Sequence, residues 1–87
     1  MNNYELNLLV DNDFDTINRV LNKFCGKGFS LRNLEVRKGF SHNLSELKLQ
    51  VHCERHLLEV ISRKLLNYED VHRLLTLSEI TTLEVAQ

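Results

Sequence analysis

The sequence predicts an α+β domain: a four-stranded antiparallel sheet with two helices on one face, in the order βαββαβ. Two observations predict it. The spacing of apolar residues switches from period 2 to a helical period and back, twice, giving two strand-and-helix halves of similar length. The clearest strands also carry polar residues along one face, so both helices must cover the other. Right-handed crossovers then fix a split βαβ pair, with the first and third strands central and the second and fourth at the edges.

The first strand covers residues 4–10, where Leu6, Leu8 and Val10 alternate with Glu5 and Asn7; Leu9 is the one apolar residue on the second face. An acidic turn follows, then Ile17, Val20, Leu21 and Phe24 recur at helical spacing. Asp15 is the expected N-cap of this helix, and Gly26-Lys27-Gly28 supplies the residues that end one through a left-handed backbone. In the second strand Phe29 and Leu31 share a parity but Leu34 and Val36 take the opposite one, which requires a late start or a bulge near Arg32-Asn33. That strand ends at Arg37-Lys38-Gly39, and residues 40–43 form a polar turn.

The third strand sets Leu47, Leu49, Val51 and Cys53 against Glu46, Lys48, Gln50 and His52, and should form a hairpin with the second. Leu57, Leu58, Ile61 and Leu65 then mark a second helix over residues 54–67, with Glu59 and Arg63 placed as an i, i+4 pair. Residues 70–80 read as the last strand. The domain is expected to occupy residues 1–80, and residues 81–87 to form a frayed tail.

Eighty-seven residues suffice for one modest core and make a one-domain enzyme unexpected. Apolar residues at 43% and charged ones at 26% describe a globular chain and argue against disorder. A net charge of −1 with both signs interspersed lacks the footprint of a nucleic-acid or membrane-surface binder. No apolar run is long enough for a transmembrane span or signal peptide, so a cytoplasmic location is expected. Cys25 and Cys53 do not make a disulfide framework; each is expected to be reduced and buried as a small hydrophobe.

The stretch Asp11-Asn12-Asp13-Phe14-Asp15-Thr16-Ile17 is the candidate small-molecule site. The first N–H groups of a helix have no partner inside it and attract anions such as an amino-acid carboxylate. Together with the residues after it, the stretch resembles a loop-and-helix pattern of acidic residue, Asn, acidic residue, any residue, Gly, small residue, Leu or Ile, any residue, Arg, Val. Here it reads Asp11 through Val20, with Asp15 where that pattern has Gly. Gly28-Phe29-Ser30-Leu31, Leu34-Glu35-Val36 and Asp70-Val71-His72-Arg73-Leu74 echo three further family segments in the right order.

On these residues the chain resembles the ferredoxin-like ACT domain, and specifically the short, single-domain type of small regulatory subunit of acetolactate synthase. The resemblance implies a non-catalytic subunit of branched-chain amino-acid biosynthesis that activates a large catalytic subunit. It places thiamine diphosphate, Mg²⁺ and FAD on that partner and none on this chain. It further implies a homodimer, joined along the second strands, with a branched-chain amino-acid effector at the interface. Carried over by position, the effector-binding residues are Asn12, Asp15, Thr16 and Ile17 of one chain with Ser30 and Leu31 of the other. Glycine at position 15 would let a ligand approach the backbone. Aspartate there adds bulk and a charge that opposes the ligand's carboxylate, and as N-cap it would occupy the N–H groups as well.

Other patterns are outweighed by plainer readings. Asp11, Asp13 and Asp15 imitate the start of a calcium loop, but Thr16 stands at its glycine and Asn22 at its twelfth position, so a capped, solvated turn is expected. His52, Cys53 and His56 straddle a strand-to-helix junction that does not make them converge on a metal. Arg37-Lys38-Gly39-Phe40 begins like an RNA-recognition signature, yet strand 3 offers Lys48 and Gln50 with no aromatic for bases to stack on. Ser41 and His42 are adjacent without an orienting third group, so no catalytic residue is expected.

Overall fold

A computed structural model describes residues 1–26, 28–39 and 41–80. The elements are β1 (Asn2–Asp11), α1 (Phe14–Lys23), β2 (Ser30–Lys38), β3 (Leu44–Cys53), α2 (Arg55–Leu65) and β4 (Val71–Ile80). They form one four-stranded sheet in the order β2-β3-β1-β4, with every neighbouring pair antiparallel. This is the expected βαββαβ architecture. The expected tail, residues 81–87, lies outside the described residues, as do Lys27 of the expected helix stop and Phe40 of the expected turn.

Register follows from the alternation of the two central strands. Leu6 lies opposite Leu49 and Leu8 opposite Leu47, so the apolar parities of β1 and β3 coincide on one face. A slip of one residue would expose both sets. Onto that face the helices deliver Val20 and Phe24 from α1 and its C-terminal turn, and Leu58 and Leu65 from α2; all four are fully buried. Phe24 and Phe29 meet edge to face at 5.4 Å between centroids.

The slipped parity of β2 is resolved by a bulge. Leu31 pairs with Val51 and Asn33 with Gln50, leaving Arg32 as the extra residue. Leu31, Leu34 and Val36 thereby share the core side, opposite Val51, Leu49 and Leu47. β4 carries two irregularities of its own against β1, which leave His72 and Leu75 unpaired in the ladder and keep Val71, Leu74 and Leu77 opposite Val10, Leu8 and Leu6.

Three local expectations are corrected. Helix α1 starts at Phe14, because the Ile17 amide donates to the Asp13 carbonyl at 3.0 Å and makes Asp13 the N-cap. Asp15 therefore lies in the first turn, where its charge suits the helix dipole. The Asp13 side chain makes no capping bond. Cys25 is exposed while Cys53 is buried, since α1 ends at Lys23 and Phe24 takes the inward position in the turn. Glu59 pairs with Arg55 one turn earlier, at 3.1 Å, in place of Arg63.

Gly28 has a φ of 87°, and a Cβ there would lie 2.5 Å from Leu57 Cδ2. The left-handed residue thus stands five positions beyond the end of α1, where it lets the backbone pass close to α2.

Candidate functional site

The strand-to-helix turn is held from three directions. Below it, the Asp11 amide donates to the Asp70 carbonyl at 2.9 Å, tying the end of β1 to the residue before β4. To one side, Asn12 clamps the β2–β3 hairpin: its backbone amide donates to the Asn43 carbonyl, and its side-chain amide to the His42 carbonyl at 3.2 Å. Asn12 Oδ1 in turn accepts from the buried Ser45 hydroxyl at 2.8 Å. Both ends of the Asn12 side chain are thus engaged within this chain.

On the other side Thr16, only 3% exposed, donates its hydroxyl to Asp70 Oδ2 at 2.9 Å. Arg19 reaches the same oxygen at 2.8 Å. Burial alone would raise the Asp70 pKa, but the hydrogen bonds from Thr16 and its own backbone amide, together with the charge and hydrogen bond of Arg19, outweigh it. They hold the carboxyl below its ordinary value of 3.8. Arg19 and Lys23 both lie 5.7 Å from the centre of the Tyr68 ring, which continues this seam between α1 and the α2–β4 connection. At the rim, His72 Nε2 sits 2.6 Å from Asp11 Oδ1.

The structure gathers Asn12, Asp15, Thr16 and Ile17 at one end of the sheet and not Ser30 or Leu31. Ser30 pairs with His52 and Leu31 with Val51, which faces Tyr4. Asn12 lies eight steps along the chain from Tyr4, just past the end of β1, roughly 26 Å at the usual rise. Within one chain the two halves of the proposed site cannot meet. Asp15 is exposed and Ile17 half-buried against the core. Phe14, 82% exposed, projects from the first helical position between Asp13 and Asp15.

Asp70, Arg19, Ser45 and the hairpin carbonyls were not legible as partners of this loop. Ser45 and Asp70 stand 33 and 54 positions from Asn12 and Thr16, the loop side chains they bond, and only the strand order brings them together; Arg19 is local to the loop, but its partner Asp70 is not. Two signals were in the chain: the loop pattern included Arg19, and the Asp-Val-His-Arg segment at residues 70–73 marked Asp70, neither saying what the residue binds.

The competing clusters are dispersed. His52 points to the open sheet face, where its Nδ1 lies 3.0 Å from Asn3 Oδ1; Cys53 is buried on the other face, and His56 is exposed on α2. Burial pushes the Cys53 thiol pKa up, away from the reactive thiolate, against the opposing pull of the chain's N-terminal charge. Ser41 Oγ accepts from the Asn43 amide at 3.4 Å, within its own turn. Among the described residues no three His, Cys, Asp or Glu side chains are placed to hold a metal ion, and no helix is long and apolar enough to cross a membrane. On the open face Gln50 donates to Glu5 at 3.1 Å, and Lys48 lies within 4.0 Å of Glu5 and Glu35. The expected polar face is therefore a ladder of cross-strand pairs.

No protein-family model matches the chain, and no curated protein matches it in sequence. Solved structures do match in shape. The small subunit of acetolactate synthase from Thermotoga maritima superposes with a TM-score of 0.70 and 22% identity over 95% of this chain. The ACT domain of GTP pyrophosphokinase from Chlorobium tepidum gives 0.67 at 10% identity, covering 90% of this chain and 96% of that one. The fold is that of an ACT domain. The C-terminal domain of MgtC from Mycobacterium tuberculosis, at 0.72 and 10% identity over 92% of this chain and 88% of that one, shows the same architecture. This ACT-like chain spans half the length of the Thermotoga small subunit.

Proposed function

We propose that the chain is a non-catalytic regulatory subunit of acetolactate synthase that binds and activates the large catalytic subunit, which carries the thiamine diphosphate, Mg²⁺ and FAD. The observation behind this reading is the 22% identity to the Thermotoga small subunit, roughly twice that to the other ACT-like neighbours cited. The loop pattern from Asp11 to Val20 supports it. Activation would come from preferential binding to the active conformation of the catalytic subunit. The test is to purify the catalytic subunit and assay it alone and with this chain. Higher activity and co-elution are expected; neither one appearing sinks the assignment.

The subunit acts as a homodimer paired along β2. Val36 is 50% exposed although it faces the core side, whereas Leu31 and Leu34 pack against the core, so the helices leave the Val36 end of β2 uncovered. Antiparallel pairing of two β2 edges would cover it and remove an aggregation-prone edge. It would also bring Ser30 and Leu31 of the second copy toward the Lys38 end of the first, the end of the sheet that carries Asn12 and Thr16. That is how the two halves of an interfacial effector site would meet.

Valine binding in this chain is weak or absent. Asp15 opposes the ligand's carboxylate by charge and bulk, although it does not cap the helix, and Asn12 and Thr16 already spend their polar atoms on Ser45, His42 and Asp70. Calorimetric titration with valine, leucine and isoleucine is expected to give no tight binding to the wild type and tighter binding to Asp15→Gly. Tight valine binding with Asp15 intact would refute the charge argument.

The second reading is a stand-alone amino-acid-sensing ACT module serving another enzyme or a transcription factor. Its support is the close superposition on the pyrophosphokinase ACT domain. A gene neighbourhood without a catalytic acetolactate synthase subunit would favour it.

A further inference from the structure

The outer edge of β2 carries a charge pattern that fixes how a second copy would pair with it. In the order β2-β3-β1-β4, nothing among the described residues pairs with the far side of β2. Val36 stands on the core side opposite Leu47 and is half exposed. Its neighbours Glu35 and Arg37 stand on the open face, opposite Lys48 and Glu46. Their side chains are 48% and 58% exposed, and their 3.5 Å contact along the strand is a surface pair of little energy. Opposite charges thus flank Val36, and such an edge is complementary to itself when a second copy runs antiparallel across it.

We infer that two copies pair along β2 with Val36 on the two-fold axis and Glu35 of each copy opposite Arg37 of the other. The inference rests on the β2-paired homodimer proposed above and deepens it by naming the register and the contacts. Directly opposite residues share a face of the sheet. The two Val36 side chains therefore cover each other on the core side, and two reciprocal ion pairs form on the open face. Leu34 falls opposite Lys38, whose aliphatic stem lies over it. The neighbouring registers fail. With Glu35 on the axis two carboxylates face each other, and with Arg37 on it two guanidinium groups do; like charges directly opposite are destabilising. With Leu34 on the axis the pairing runs across the bulge, and Leu31 on the core side falls opposite Arg37 on the open face. The Val36 register confines pairing to residues 33–39, clear of Arg32. It also sets the start of each β2 beyond the Lys38 end of the other, beside the hairpin turn whose His42 and Asn43 carbonyls Asn12 holds. Ser30 and Leu31 of the second copy thereby come to the loop, which those of its own chain cannot reach.

The experiment measures self-association of the full-length chain by sedimentation equilibrium, for the wild type, Arg37→Glu, Glu35→Arg and an equimolar mixture of the two variants. Each variant alone sets two like-charged pairs across the axis, and its dimer should dissociate at least about ten-fold more readily than that of the wild type. In the mixture both pairs carry opposite charges again. A heterodimer as tight as the wild-type dimer is expected there, and its formation shows that both variants fold. The register is read from Val36→Cys and Leu34→Cys, each made with Cys25→Ala, because Cys25 is exposed, and oxidised with glutathione disulfide. Val36→Cys should cross-link and Leu34→Cys should not, since only residues on the axis meet their own copies. A wild-type dimer that neither reversal weakens, a mixture that stays monomeric, or cross-linking through Leu34→Cys in place of Val36→Cys overturns the register and leaves the homodimer standing. A monomeric wild type overturns the homodimer and the register with it.

Discussion

Asp70 is the residue on which the loop turns, because one carboxylate oxygen serves both the Thr16 hydroxyl and the Arg19 guanidinium. Its pKa is lowered in the folded chain, so its contribution to stability is full above 3.8, its ordinary value, and is lost as the pH falls through the lower folded value. Asp70→Asn should cost about 1–2 kcal/mol at neutral pH, the range for hydrogen bonds to a charged group reduced for the exposure of Arg19. It should also flatten the loss of stability below pH 4. Urea denaturation of both forms between pH 2 and 7 checks this, and parallel pH profiles would contradict it. Ser62 makes an opposite case: its buried hydroxyl has no partner, so Ser62→Ala should stabilise the free chain by up to about 1 kcal/mol. A lower urea midpoint for Ser62→Ala would show that the hydroxyl is satisfied.

At the scale of elements, the informative part is β2, where parity and register disagree with a regular strand until Arg32 is set aside. Deleting Arg32 should join Leu31 directly to Asn33 and leave both apolar sets on the core side, so the domain should still fold, with a small change in melting temperature. Deleting Glu35 instead should turn Val36 or Leu34 to the open face and cost several degrees. Equal melting temperatures for the two deletions would show that β2 is not held in this register. Gly28 tests the connection before β2. Gly28→Ala forces a Cβ against Leu57 in a left-handed backbone, and should destabilise by about 1–2 kcal/mol by chemical denaturation.

At the scale of the whole molecule, the sheet presents two edges with different surroundings. β2 is thinly covered, with Val36 half exposed, while β4 adjoins an apolar cleft under α2. Val36→Lys should therefore convert the proposed dimer to monomer by sedimentation while leaving the fold intact, since the side chain is already half in water. An unchanged dimer would move the self-association surface elsewhere. The open face between the two edges is a paired polar ladder from Asn3–His52 to Glu5–Gln50 and Asn7–Thr76. It needs no partner to satisfy its polar groups.

The sequence by itself determined the order and type of every element, the slip of parity in β2 and the core of β1 and β3, because burial on a pleated strand or a helix leaves a periodic trace in one short window; that a bulge and not a late start resolves the slip came from the register. It also marked Asp11 through Ile17 as the stretch most worth attention. Only the tertiary structure decided what that stretch is bonded to. The helix starts at Phe14, not after Asp15; Asn12 is spent on Ser45 and the hairpin; Thr16 is spent on Asp70. These partners are polar, single and distant in sequence, so no periodicity records them. Ser30 and Leu31 lie at the far end of the same sheet, a separation set by strand direction and register rather than by any local feature of the chain.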